Sequence, residues 1–181
     1  MNTFLDLVRS RRSIRRYKPD PVPPEMIALC IDAARYAPTA CNRQSWKFII
    51  AQGNVKDRLV DQAFGGIVVP NRWAATAPVI AVIAMDLDTV VHRIGGAVKK
   101  IRYHMVDAGI AGEHFVLQAT ELGLGTCWIG WFNKRAVKRT LDLPAAWDVP
   151  AMIAVGFPGE EPEEKKRRDI AEIVNWMPPG T

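Results

Sequence analysis

The chain has 181 residues, 49% of them apolar and 24% charged, which is the size and composition of one folded domain rather than a disordered segment. Its formal charge of +5, from 24 basic and 19 acidic side chains, is modest and largely concentrated at the N-terminus, which favours a local anion site over a general nucleic-acid surface. Cys30, Cys41 and Cys127 form no CxxC and no metal-like spacing, so free thiols in a reduced compartment are expected. No basic-then-apolar leader opens the sequence. The longest apolar run, residues 77–85, falls far below the roughly 18 residues of a membrane span. The expectation is a soluble, cytoplasmic protein with no membrane partner, folded as a single domain over residues 1–181.

In chain order, residues 3 to about 11 read as a short helix capped by Thr3, with Phe4, Leu7 and Val8 on one face. Pro23-Pro24 opens a second helix. Its Met26, Ile27, Cys30, Ile31 and Ala34 follow helical spacing toward a core, and Pro38 stops it. Residues 39–45 are a polar loop, and Trp46-Lys47-Phe48-Ile49-Ile50 alternates as a strand does. Asn54 is the expected cap of a helix running to about Phe64. Residues 78–84 form a buried strand. A long helix is predicted from about Ile94 to Leu122, with Ile101, Met105, Ala108, Phe115, Ala119 and Leu122 inward and Gly123 closing it. A strand over 127–132, a basic helix capped by Asn133 and running to Leu141, and a last strand over 151–157 follow. The charged tail carries Ile170, Ile173 and Val174 in a pattern suited to crossing a neighbouring surface.

Several site types are excluded. Gly123-Leu124-Gly125-Thr126-Cys127-Trp128 begins like a dinucleotide fingerprint, but Trp128 takes the third glycine's place, and the segment follows a helix and precedes a strand. There is no Walker A sequence, no HExxH and no nucleophile elbow. His104 and Asp107, one helical turn apart, read as a surface or interhelical hydrogen bond rather than half a metal site. No metal is expected. Hydrolytic chemistry is disfavoured, which leaves a bound organic cofactor.

Two cationic clusters stand out. Arg9-Ser10-Arg11-Arg12-Ser13-Ile14-Arg15-Arg16 sits where a helix must give way, because Pro19 and Pro21 follow. Lys165-Lys166-Arg167-Arg168 lies near the other end. Guanidinium forks mixed with hydroxyls suit a phosphate ester. An arginine run taken alone also suits a solvated face. Ser13 and the second cluster favour a site, while Lys166 and Arg168 point away in an extended tail.

Four segments, in order and over nearly the whole chain, resemble the FMN-dependent nitroreductase family. They are Arg11-Arg12-Ser13-Ile14-Arg15-Arg16-Tyr17; Ala37-Pro38-Thr39-Ala40-Cys41-Asn42-Arg43-Gln44-Ser45-Trp46-Lys47-Phe48; residues 109–132, above all Glu121-Leu122-Gly123-Leu124-Gly125-Thr126-Cys127-Trp128-Ile129-Gly130; and Gly156-Phe157-Pro158-Gly159-Glu160-Glu161. The resemblance implies an α+β nitroreductase-like fold with a central mixed β-sheet flanked by helices, and a homodimer with flavin sites at the subunit interface. It implies bound FMN, reduced at N5 by NAD(P)H. The reduced flavin then passes hydride to a small acceptor such as a nitroaromatic or quinone in a ping-pong sequence.

By motif match, Arg11, Ser13 and Arg167 are the phosphate ligands, with Arg12 and Lys165 in support. Arg15 is placed near the flavin N1/O2 edge, where reduction leaves negative charge; a further phosphate or surface contact is its alternative role. Pro38, Thr39, Ala40, Asn42 and Gln44 are matched to contacts from the partner subunit to the ribityl chain and ring. A helix-terminal turn held by side-chain bonds explains the same residues. This chain has Ala40, Cys41 and Ser45 where many members read Ser, Gly and Pro, so backbone contacts transfer better than hydroxyl ones. Trp128, Ile129 and Gly130 are matched to the ring face, and Asn71 with Arg72 to the pyrimidine edge. Cys127 reads as a buried structural thiol and Trp46 as core.

No side chain is matched to a catalytic acid, since solvent or substrate can supply protons. The alternatives are a flavin-fragmenting or dehalogenating relative, for which residues 65–73 are the only lid candidate; a non-catalytic flavin-binding protein; and a nucleic-acid-binding module built on residues 9–16, whose binding would fall with salt.

Overall fold

A computed structural model describes residues 3–65, 71–87 and 102–177. The first helix, α1 (Phe4–Ser10), starts as its sequence directs. The Thr3 hydroxyl accepts the Asp6 amide at 3.2 Å while the Thr3 amide donates back to the Asp6 carboxylate at 2.9 Å, closing a capping box. These bonds hold the Asp6 carboxyl below its usual pKa. Helix α2 (Pro24–Arg35) buries Ile27, Cys30 and Ala34 on one stripe.

Four strands follow the order β1 (Trp46–Gln52), β2 (Val79–Asp86), β4 (Trp147–Gly156) and β3 (Gly125–Ile129) across one sheet. Helices α3 (Gly53–Phe64), α4 (Tyr103–Glu121), α5 (Lys134–Thr140) and the single turn α6 (Ile170–Ile173) complete the described elements. All three strand ladders are antiparallel, so the mixed sheet expected from the resemblance is not found among the described residues. Among the described residues the one parallel pairing is a single bridge between Ser13 and Thr126 at the β3 edge.

Strand β2 reads as an unbroken apolar run because both its faces are covered. Ile80, Val82 and Ala84 face Leu59, Val60, Ala63 and Phe64 of α3 and Val137 of α5. Val79, Ala81, Ile83 and Met85 face Ile27, Cys30 and Ala34 of α2 and Ala108, Ala111, Phe115 and Val116 of α4. Phe48 of β1 stacks on Phe115 at 5.5 Å. A side chain as fully buried as Phe115 contributes about 1.5–3 kcal/mol through removal from water. Burial pushes the Cys30 thiol up to about 12, leaving it inert.

Some boundaries differ from expectation for physical reasons. Helix α3 begins at Gly53 with Gln52 in the cap position, so Asn54 lies inside it. The left-handed backbone of Gly53, at φ 53°, turns the chain from β1 into the helix with no intervening residue. Strand β4 starts at Trp147 rather than 151, running through Pro150. Proline is tolerated there because the β2 register shifts between Ile83 and Met85 and β3 pairs only as far as Met152. Strand β3 covers 125–129 rather than 127–132. The predicted residues 94–101 of the long helix lie outside the described residues, and Met105, expected inward, is exposed.

The small residues of α4 do permit close packing. A Cβ on Gly112 would lie 2.1 Å from the Trp128 ring and 2.8 Å from Ile83. Asn133 caps α5 as predicted, accepting the Ala136 amide at 3.1 Å.

Candidate cofactor site

Beyond α1 the chain runs extended along the β3 edge, where the Ile14 amide donates to the Thr126 carbonyl at 2.9 Å. Ile14 and Tyr17 are buried while Arg15 and Arg16 face outward. The Tyr17 hydroxyl donates to the Ile14 carbonyl at 2.6 Å and to the Ala154 carbonyl at 3.3 Å, and burial pushes its pKa upward. Buried Ile14 and Tyr17 therefore anchor the segment whose arginines are displayed.

Arg15, with arginines that precede it, borders a cavity of about 570 Å³. Arg11, Arg12, Ser13 and Arg15 line it from one side, and Lys165 and Arg167 line it from the tail. The two cationic clusters, some 150 residues apart in sequence, share this one space. Lys166 and Arg168 are not among its lining residues. Burial pushes the Cys127 thiol upward, while Arg15, the Ser13 hydroxyl, Lys165 and Arg11 pull it down.

Carboxylates also border this cavity, with no local pattern to announce them. Glu113 of α4 lies 3.8 Å from Arg11 Nε and accepts the Trp128 indole N–H at 3.3 Å. Glu164 lies 3.9 Å from Arg12. Both ion pairs are long beside the 2.7–2.9 Å of a close charge-assisted bond, so they neutralise the guanidiniums without saturating their donors. Arg12 also caps α1, donating to the carbonyls of Arg9 and Arg11, which places a cation at the negative end of a helix. Helical spacing to a partner on another element carries no local signal, which is why Glu113 was missed.

Arg15 is held from three directions. Its guanidinium lies 5.7 Å from the Trp73 ring centroid, within cation–π range. Its carbonyl accepts from Thr76 Oγ1 at 3.4 Å, and its amide donates to Glu160 Oε1 at 2.6 Å. Asn71 spends both ends of its amide within the chain, donating to the Trp131 carbonyl at 2.8 Å and accepting the Trp73 indole N–H at 3.2 Å. Most of the lid candidate over 65–73 lies outside the described residues.

Residues 38–44 are not brought to the cavity. They form a 3-10 turn (Ala40–Asn42) tied to α4 by the Ala40 amide, which donates to Asp107 Oδ1 at 3.3 Å. Cys41, Asn42 and Gln44 all have positive φ, between 48° and 54°. The Gln44 amide donates to Thr39 Oγ1 at 3.1 Å and its side chain to Asn42 Oδ1 at 3.1 Å. Pro38 is exposed, and Asn42 and Gln44 present their remaining polar atoms outward. Asp107 pairs with this loop rather than with His104, whose Nε2 lies 3.6 Å from Asp148.

On β3, Trp128 packs over Gly112, Ile129 is buried, and Gly130 leaves the sheet with nothing within 4 Å of where a Cβ would stand. Among the described residues no group of three or more His, Cys, Asp or Glu side chains is placed to hold a metal, and no helix is long and apolar enough to cross a membrane.

Comparison with known proteins fits this geometry. The chain is 30% identical to a Thermus thermophilus protein named NADH dehydrogenase, over 92% of each chain. It is also 30% identical to an FMN reductase [NAD(P)H] of Bacillus subtilis, covering 97% of this chain and 73% of that one. A crystal structure of a Desulfovibrio desulfuricans nitroreductase in complex with FMN superposes with a TM-score of 0.80 at 28% identity, over 98% of both chains. Residues 8–157 match the Nitroreductase family, and the chain belongs to it.

Proposed function

We propose that this protein is an FMN-dependent NAD(P)H oxidoreductase acting on a small acceptor, such as a nitroaromatic or quinone, in ping-pong order. One observation carries the reading: two cationic clusters from opposite ends of the chain, with Ser13 between them, line one cavity at the β3 edge. That donor set suits a phosphate dianion. When bound, FMN supplies a ring that accepts hydride from one substrate and delivers it to the next. Arg11, Ser13 and Arg167, supported by Arg12 and Lys165, would hold its phosphate. Arg15 would set a cation against the ring edge that becomes electron-rich, a preorganised stabilisation of developing charge. Trp128, Ile129 and Gly130 would lie along the ring, where Gly130 leaves the backbone approachable.

The ribityl and ring contacts matched to Pro38, Thr39, Ala40, Asn42 and Gln44 require a second copy, because in one chain that loop stands away from the cavity. Exposed apolar side chains support a homodimer. Phe4 and Leu5 on α1, Tyr103, Met105 and Val106 on α4, and Trp176 and Met177 in the tail all lie open, an arrangement typical of interaction surfaces.

The test is the visible spectrum of the purified protein, recorded anaerobically before and after NADH or NADPH is added, with mass measured in parallel by light scattering. Flavin bands near ~450 nm that bleach, from a particle of twice the chain mass, are the expected result. A colourless protein that takes up no FMN overturns the reading, and flavin bands that persist with both donors overturn its enzymatic part.

A further inference from the structure

The two halves of the cationic cavity meet along a seam of backbone contacts. Where β4 ends, the chain turns back through residues 156–160 and lies against the arginine segment. The Lys18 amide donates to the Phe157 carbonyl and the Gly159 amide to the Arg16 carbonyl, each at 2.9 Å, and Tyr17 bridges Pro158. The approach is close enough that a Cβ on Gly159 would stand 3.2–3.4 Å from backbone atoms of residues 16–18.

At the end of this seam a single carboxylate oxygen, Glu160 Oε1, accepts the amides of both Arg15, at 2.6 Å, and Arg16, at 3.1 Å. Its other oxygen, Oε2, lies 3.4 Å from Arg16 Nε. The tail cations Lys165 and Arg167 follow five and seven residues later.

Resting on the FMN reading above, we propose that Glu160 is a positioning residue: its side chain holds the Arg15 and Arg16 amides and so sets the register between the two cationic clusters that grip the cofactor phosphate. A carboxylate beside a phosphate site is unfavourable as a charge, since it attracts the same cations and repels the anion. Its place is explained by geometry. Two adjacent amides of an extended segment have no strand partner at that point, and a side-chain oxygen reaching from the tail supplies the acceptor they need. The same contact fixes the start of the Arg15 side chain, whose far end rests over Trp73. The shift in the Glu160 carboxyl, lowered chiefly by the Arg15 amide bond, accords with this geometry.

Reach and charge are separable. Glu160→Gln keeps an oxygen at the same distance and removes the charge. Glu160→Asp keeps the charge and withdraws the oxygen by one methylene. Glu160→Ala removes both. FMN titrated into the full-length deflavinated proteins is expected to bind the Gln variant within about threefold of wild type, and the Asp and Ala variants at least about tenfold more weakly, as loss of bonds to an ionised acceptor implies. Arg16→Ala, which removes only the ion pair, should stay within about threefold.

Amide hydrogen exchange at Arg15 and Arg16, measured without flavin, should quicken in the Asp and Ala variants and not in Gln. If Ala fails to fold, the Asp and Gln pair still decides. Binding by Glu160→Ala as tight as wild type or tighter would mean a merely competing charge and overturns the proposal; so does a Gln variant as weak as Ala. Wild-type protein that takes up no FMN sinks the underlying reading, and unchanged exchange in the Asp and Ala variants sinks the positioning role by itself.

Discussion

The two ends of the proposed cofactor site are built in opposite ways. At the cation cavity the backbone is over-determined: Ile14 and Tyr17 are buried, the segment is bridged to Thr126 and Pro158, and Glu160 gathers two amides at once. The loop over residues 38–44 is lightly held. Asp107 ties it through one 3.3 Å bond, three of its non-glycine residues carry positive φ, and its polar side chains bond mainly to each other. Oδ2 of Asp107 is buried with no hydrogen-bond partner, which costs about 1–3 kcal/mol. The contrast is between a segment fixed by several contacts within its own chain and a loop fixed by few.

That contrast can be broken most sharply at Arg11. Arg11→Ala should weaken FMN binding by about 100-fold while leaving the melting temperature nearly unchanged, because the lost interactions are charge-assisted and made to ligand rather than to the core. Flavin fluorescence titration beside thermal unfolding checks this. A large fall in stability with intact affinity would show Arg11 to be structural.

At the loop, Asp107→Ala should destabilise the protein by about 1–3 kcal/mol in urea unfolding by orphaning the Ala40 amide. Asp107→Asn, which keeps an acceptor oxygen for that amide, should lose less. Equal losses in the two variants would mean that the Ala40 bond is not what the carboxylate contributes.

Acid sharpens the anion end. The folded-state Glu160 carboxyl is lowered from its ordinary 4.5, first by the Arg15 amide. Its contribution is therefore complete above that ordinary value and is lost as pH falls through the lower folded value. Melting temperature followed from neutral pH into this acid window should drop less steeply in Glu160→Gln than in wild type. Equal slopes would remove Glu160 from the acid response.

The smallest effect belongs to Cys41, at φ 54°. Cys41→Gly exchanges left-handed strain for unfolded-state entropy, and the net gain should be about 0.5 kcal/mol, visible as a slightly raised urea midpoint. A loss would mean that the exposed thiol makes contacts worth more than the strain.

Much of this was legible locally. Thr3 and Asn133 announce helix starts because a cap and its amide lie three residues apart. The Val-Ile run of β2 reads as buried, and the arginine run with Ser13 reads as an anion site, because each pattern sits within a few consecutive residues. Gly112 reads only as a small residue among others until Trp128 is seen 2.1 Å from its absent Cβ. Asn54 looked like a cap and was not, since Gly53 turns the chain one residue earlier. Glu113 carried no signal, and neither the His104–Asp107 spacing nor the segment holding Glu160 told which distant groups these carboxylates meet. Glu160 meets Arg15 across 145 positions, and no window along the chain contains both.

By itself the sequence determined most of the helices, the Thr3 and Asn133 caps, the apolar strands and the two stores of cationic charge, since propensity, periodicity and composition act over short distances. Only the tertiary structure decided that the sheet ladders are antiparallel, that both cationic stores face one cavity, and that carboxylates from α4 and the tail lie against its arginines. Those features depend on which distant segments pack together. That choice is made by burial of the shared core on both faces of β2, a property of the whole chain.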